Sequence, residues 1–315
     1  MNVTRGYSDE VVRPYPVGTI GNFDGHHLGH YALLKQVVET ARSARGTAVV
    51  LTFDPHPVKI LAPHVDLRFL TSADEKRARF EQAGIDEVVS LEFTQAFAAF
   101  SPEIFAEQVL SKGLGLKEVF VGQHFAFGHK RVGKIDDLIA LGKQFGFVVH
   151  PTPPVMIDGG VVSSTRIRQL INAGQVDQAA VLLGRHYALS GVVAPGEGRG
   201  RRLGCATANL RLPPGRVAPA DGIYASVTIL NQERYDSIAY IGTRPTFDGG
   251  ERGLEVSILD GTHELYGRTL SVEFISRIRG DAQFNSGEAL SRQIASDVDS
   301  ARGILRRYHE TIGKR

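Results

Sequence analysis

The sequence predicts an α/β domain followed by a mostly β domain that closes with a helix. Three observations carry this. From Val17 to Gly184, short β-rich runs alternate with helix-like segments, the pattern of βα units wound around a parallel sheet. From about His186 the runs follow one another with only turn residues between them, as in a small barrel. At 315 residues the chain exceeds what one core usually organises, so two domains are expected, 1–185 and 186–315. With 42% hydrophobic and 22% charged residues, disordered and fibrous classes are excluded. A net charge of +2 argues for no nucleic acid and no membrane as partner by bulk field, so any anion site has to be local. The single cysteine, Cys205, permits no internal disulfide and no cysteine-built zinc site, which suits a reducing cytoplasm. MNVTRGYSDEVVRPY lacks an apolar signal core and no run reaches the roughly 18 apolar residues of a membrane span, so a cytoplasmic protein is expected.

The first strand is VGTIG, and GNFDGHHLGH (21–30) turns it into a helix whose apolar stripe is Leu34, Val37, Val38 and Ala41. Glycines there let backbone approach a ligand, and a helix start offers unpaired N–H groups, together an anion site. His27 and His30, three apart, share one helix face, so both imidazoles can meet one group such as a phosphate. Two other readings stand beside it: a zinc site, which lacks the HExxH glutamate and a third ligand, and a glycine-rich turn with surface histidines. TAVVLTF, EVVSLEF, EVFVG and FVVH supply further strands, and Ser101, Pro102 and Glu103 read as N-cap, first helical position and first-turn acid. In VVSSTRIRQLI (161–171), Ser163 or Ser164 can cap a helix and Arg166 can be solvated; alternatively Ser164, Thr165 and Arg168 clamp phosphate oxygens. Two anion sites in one α/β domain suggest a nucleotide gripped from both sides.

In the second half, YALSGVV, IYASVTIL, SIAYIGT, LEVSILD and LSVEFISRI are strands, broken by GEGRGRRLG, PPGR and DGGERG, and a helix runs from about Gly287 to Tyr308. The glycines of GEGRGRRLG, among them Gly198 and Gly204, can wrap phosphates, and the same basic loop can contact RNA. On its strand alone, Glu255 reads as a polar residue on the wet face.

GNFDGHHLGH, TFDPHPVKIL, FAFGHKRVG and VSSTRIR together resemble the N-terminal, Rossmann-like nucleotidyltransferase domain of the bacterial bifunctional riboflavin kinase and FAD synthetase. GEGRGRRLGCATANL, DGIYASV, IGTRPTF, LEVSILD, ELYGRTL and FNSGEALSRQIASD resemble its riboflavin kinase domain, a small antiparallel β-barrel with a terminal helix. The ordered series from about Val17 to Ala301 is specific where no single motif is.

The resemblance implies two reactions on small molecules, riboflavin, FMN and ATP: phosphorylation of riboflavin to FMN, then adenylylation of FMN to FAD. An altered or weak transferase half is the alternative. It implies His27 and His30 as catalytic groups, protonated or hydrogen-bonding, at the α-phosphate. Gly21, Asn22, Phe23, Asp24, Ser163, Ser164, Thr165 and Arg168 then bind ATP and its phosphates, and His124 and Phe125 lie on the flavin side. In the kinase half it implies Glu255 as catalytic base, Thr207 and Asn209 as magnesium ligands, Gly198, Gly204 and Tyr266 at ATP, and Arg279 and Phe284 at the flavin. Four positions depart from the family pattern: Ala206 replaces a proline, His124 an acid or asparagine, Ala126 an arginine and His26 a valine.

Overall fold

In the computed structural model, whose described residues are 1–194, 207–243, 252–261 and 263–313, the chain forms two units, Met1–Ser164 and Thr165–Arg315. The first is built on β1 (Asn2–Arg5), β2 (Pro16–Ile20), β3 (Thr47–Asp54), β4 (Glu87–Glu92), β5 (Glu118–Gly122) and β6 (Val148–Thr152), all parallel, in the order β1-β4-β3-β2-β5-β6. Four of the strands coincide with the expected runs, and FVVH continues two residues further as β6. β1 was announced by no apolar run because its residues are mostly exposed; Thr4 instead donates to Glu87 Oε1 at 2.7 Å, fastening the edge strand to β4. A short hairpin, β7 (Met156–Ile157) and β8 (Gly160–Val161), follows the sheet.

Helices cover both faces, as parallel strands require. α1 (Leu28–Ser43) buries Leu33, Leu34, Val37 and Ala41 on one face. α2 (Pro57–Leu61) and α3 (Ala73–Gln82) connect β3 to β4, and α3 sends Phe80 into the same layer. α4 (Gln95–Ala98) and α5 (Pro102–Ile104) follow β4, and α5, capped by the Ser101 hydroxyl, runs into a π-helical stretch, Phe105–Gly113. That stretch and α6 (Ile135–Phe145) fill the opposite face with Phe105, Val109, Leu110, Leu138 and Leu141. The strand order steps from β2 through β3 to β4 in one direction and through β5 to β6 in the other. The carboxyl ends of β2 and β5 therefore flank the point where open α/β sheets bind ligands.

In the second unit, six antiparallel strands close a barrel: β9 (Tyr187–Ala194), β10 (Thr207–Arg211), β11 (Gly222–Leu230), β12 (Glu233–Thr243), β13 (Arg252–Ile258) and β14 (Thr269–Arg279), ordered β10-β13-β12-β11-β14-β9 with β9 pairing back onto β10. Along β11, Ala225 and Val227 face outward to Ala301 and Leu305 of the closing helix. The alternate residues Tyr224, Ser226 and Thr228 are fully buried, with Ser226 and Thr228 each bonded to the Ser237 hydroxyl at 2.8 Å. Ahead of the barrel lie α7 (Ser164–Asn172) and α8 (Val176–Leu183), and behind it α9 (Gly287–Ile312). The compact division thus falls 21 residues ahead of the boundary at residue 185 suggested by the change of period. The reason is packing: α8 lies on β14 and β9, and Ala220 N donates to Ile171 O at 3.2 Å, so α7 and α8 continue the α/β pattern while burying apolar residues with the barrel.

Candidate active sites

The GNFDG turn leaves β2 at the reversal of strand order, and its shape comes from a partner segment 46 residues further on. Asp24, 3% exposed, accepts from Leu70 N at 3.0 Å and from Thr71 N at 3.1 Å. The Thr71 hydroxyl donates to Asp24 Oδ1 and accepts from Gly25 N, both at 3.0 Å. Gly25 has φ +86, and a Cβ there would lie 2.7 Å from Leu70, so glycine is demanded by both conformation and space. Asp24 is therefore the loop-shaping residue, its carboxylate turned to backbone. Phe23, expected among the nucleotide contacts, is a core residue instead: at 2% exposure its ring packs on Phe80 at 5.4 Å and His30 at 5.1 Å.

The histidines of this motif converge as their spacing suggests. His27 and His30 stack at 3.6 Å, and His27 Nδ1 caps α1 by accepting from His30 N at 3.3 Å. An Nδ1 that accepts leaves the proton of a neutral ring on Nε2, making Nε2 a donor. His26, held at φ +42, packs its ring on Phe80 at 4.4 Å. Of the two states expected of the imidazoles, protonated or hydrogen-bonding, the protonated one is disfavoured at His30. Burial foremost, then the neighbouring His27, His26 and Lys76, push it well below the ordinary histidine range, so it is neutral at physiological pH. His30 Nδ1 and Asn22 Oδ1 are buried without a hydrogen-bond partner.

Ser164, first residue of α7, donates its hydroxyl to Asp24 O at 2.8 Å, which joins VSSTRIR to the GNFDG turn. Ser164 thus bonds the loop rather than capping its own helix, and half-buried Ser163 precedes it. Thr165, exposed, and Arg168, half-buried, continue α7 into the second unit. His124 is exposed on the turn after β5, the strand beside β2; Phe125 follows it and stacks on Phe127 at 5.7 Å. Two residues that the sequence reading missed belong to this site: Thr71, and Lys76 of α3, whose Nζ donates to Asn22 O at 3.4 Å. TSADEK does announce a helix start by its capping box, and Ser72 and Glu75 form one, but nothing local announces where that helix docks.

In the barrel, register places Asn209, Glu255 and Tyr240 directly opposite one another on β10, β13 and β12. Glu255 is 6% exposed, which overturns the reading of a wet-face residue. Two positions further along the same face, Gly253 opposes Gly242; a Cβ on Gly242 would meet the Tyr240 hydroxyl at once, because the Tyr240 ring lies over it. Thr207 begins β10 opposite Ser257. Gly198 and Gly204 lie outside the described residues. Tyr266 is 50% exposed. Arg279 is committed to α9: its guanidinium forks onto Asp297 at 2.8 to 3.1 Å, donates to Gly280 O, and stands 5.6 Å over the Phe284 ring. Of the two expected flavin contacts, Phe284 retains a half-buried face beside this pair.

Comparison with known proteins matches both halves. The FAD synthetase family model covers residues 12–166 and the riboflavin kinase model residues 183–305. A bifunctional riboflavin kinase/FMN adenylyltransferase of Pseudomonas fluorescens is 38% identical over 91% of this chain and 92% of its own. One from Escherichia coli K12 is 38% identical over 90% and 91%, and one from Bacillus subtilis 32% over 90% and 91%. A crystal structure from Streptococcus pneumoniae, named as a macrolide-efflux protein, superposes with TM-score 0.86 at 31% identity over 96% of this chain and 99% of that one. Among the described residues no helix is long and apolar enough to cross a membrane.

Proposed function

The chain belongs to the family of bifunctional riboflavin kinases and FMN adenylyltransferases, and from that premise we propose how its two sites share the work. The protein phosphorylates riboflavin to FMN with ATP and adenylylates FMN to FAD, releasing pyrophosphate. The match over the first half supports FAD synthesis over an altered transferase. The observation that carries the division is chemical: one unit holds a buried carboxylate in a strand row, the other an imidazole cluster whose nearby carboxylate is spent on backbone.

In the kinase site Glu255 accepts the proton of the ribityl 5′-hydroxyl as that oxygen attacks the γ-phosphate of ATP. Burial in a strand row supports that role by limiting the motion of the carboxylate, and Asn209 faces it from β10. An amide oxygen and a carboxylate in one row are hard donors suited to magnesium, with Thr207 and Asn209 the residues to hold it. When bound, that ion neutralises phosphate charge.

In the transferase site an FMN phosphate oxygen attacks the α-phosphorus of ATP and pyrophosphate departs. His27, fixed by its bond to His30 N, donates from Nε2 to a nonbridging oxygen. His30 supports that ring by stacking on it, as a neutral group. Ser163, Ser164, Thr165 and Arg168 hold the departing phosphates, and His124 and Phe125 line the flavin side.

Glu255→Gln keeps size and removes the base, so FMN formation is expected to fall by about 10² or more, while FAD formation from added FMN persists. His27→Ala with His30→Ala is expected to do the reverse. Equal loss of both activities in either variant overturns the division.

A further inference from the structure

The transferred phosphate gathers negative charge, and His30, placed for that charge by its spacing, is held neutral by burial. A cation has to come from elsewhere, and α3 brings one. The segment from Leu70 to Phe80 meets the GNFDG turn and the histidine after it at four residues: Leu70 and Thr71 on Asp24, Phe80 on Phe23 and His26, and between them Lys76 on the carbonyl of Asn22. The ammonium is largely withdrawn from water, and it is close enough to His30 to disfavour protonation of that ring. Such placement is costly for a lysine whose role is solubility, since an exposed rotamer is open to almost any helix surface position. Three groups temper the cost: the Asn22 carbonyl by direct contact, and Asp24 and Asp54 through their charges. The Asp24 carboxylate is turned to Leu70 and Thr71, and its charge favours the ammonium. In this turn and at the start of α1, Asn22 Oδ1 and His30 Nδ1 are buried polar atoms without partners in the protein, the pattern of a site that completes its bonds with a ligand.

We propose that Lys76 is a catalytic residue of the adenylyl transfer, its ammonium contacting the α-phosphate of ATP and taking up the charge that develops there. This rests on placing that reaction at the β2 turn. As the bond from the FMN phosphate oxygen to the α-phosphorus forms and the bond to the bridging oxygen breaks, the electron pair leaves with pyrophosphate. Lys76 exchanges no proton; it stays charged throughout and is preorganised by α3, so no reorganisation is needed during the step.

The test is Lys76→Met in the full chain, assayed for FAD from FMN and ATP and, separately, for FMN from riboflavin. Loss of a preorganised charge should lower kcat for FAD formation by about 10² to 10³, with the KM for FMN shifted far less and riboflavin phosphorylation unchanged. Because Lys76→Met can also loosen the turn, the second arm is Lys76→Cys in a Cys205→Ser background, alkylated with 2-bromoethylamine. Alkylation rebuilds an ammonium of nearly lysine length, and recovery to within about tenfold of the parent supports the proposal. FAD synthesis by Lys76→Met within about threefold of the parent overturns it, as does an alkylated variant that stays as slow as the unmodified one. His27→Ala run in parallel separates the two levels of the argument. If it is impaired while Lys76→Met is not, only the role of Lys76 fails; if neither is impaired, the placement of the reaction at the β2 turn fails.

Discussion

At the scale of single residues, His30 and Thr71 show how much the loop after β2 owes to burial. An unfolded histidine takes up a proton near pH 6.5, whereas folded His30 resists it until well below. Between those values the unfolded state binds more protons, so stability falls as pH falls through that window. Urea midpoints measured at pH 7.5 and 5.5 should therefore show an acid-side loss, and His30→Asn should reduce that loss by removing the titrating group. An unchanged pH slope in the variant would mean that other groups carry it. Thr71 acts through one hydroxyl that both donates and accepts. Thr71→Val keeps shape and removes the bond from Gly25 N together with the donor to Asp24, a cost of about 1–3 kcal/mol. Chemical denaturation should register that cost, and FAD synthesis should weaken while riboflavin phosphorylation is kept.

At the scale of elements, α9 is held to the barrel by polar clamps around a small apolar seam. Arg279 of β14 forks onto Asp297, which also accepts from Gln293 at 2.9 Å; Arg234 pairs with Glu273 and touches the Tyr308 hydroxyl, and His309 reaches Asp236 at 2.7 Å. Asp297 is 3% exposed, so Asp297→Ala leaves a partly buried guanidinium without its carboxylate. A loss of about 3–5 kcal/mol is expected, read as a lower denaturation midpoint of the barrel. A change below about 1 kcal/mol would place the pair with ordinary surface bridges. The same pair explains what was legible. FNSGEALSRQIASD announced a helix and its start, since Ser286 caps it by accepting from Ala289 N. That Arg279 would turn to this helix could not be read, because Asp297 is distant in sequence and an arginine beside an aromatic residue has the same text whether it meets a flavin or a carboxylate. Likewise His27 and His30 were legible from spacing, which is local helix geometry. Thr71 and Lys76 were not, because they reach the loop through a tertiary docking 46 and 54 residues away.

At the scale of the whole molecule, the two periods of hydrophobic text corresponded to two architectures because each follows from backbone geometry: strands spaced by helices for the parallel sheet, strands spaced by turns for the barrel. The limit between them was less legible, since α7 and α8 carry α/β text and barrel packing. Separate sites imply that the defects of Glu255→Gln and of His27→Ala with His30→Ala can be supplied by different molecules. An equimolar mixture of the two proteins should make FAD from riboflavin and ATP, with FMN rising first. No FAD from the mixture would show that FMN never leaves the chain that made it. Finally, β9 finds its long neighbour β14 only when the last strand of the barrel has been made, from Tyr187–Phe274 to Val192–Thr269, while every strand of the parallel sheet has been made by Thr152. On a ribosome adding roughly 5–20 residues per second, the sheet can be complete for several seconds while β9 still waits with one edge bare. That nascent edge, rather than the finished enzyme, is where a chaperone has something to hold.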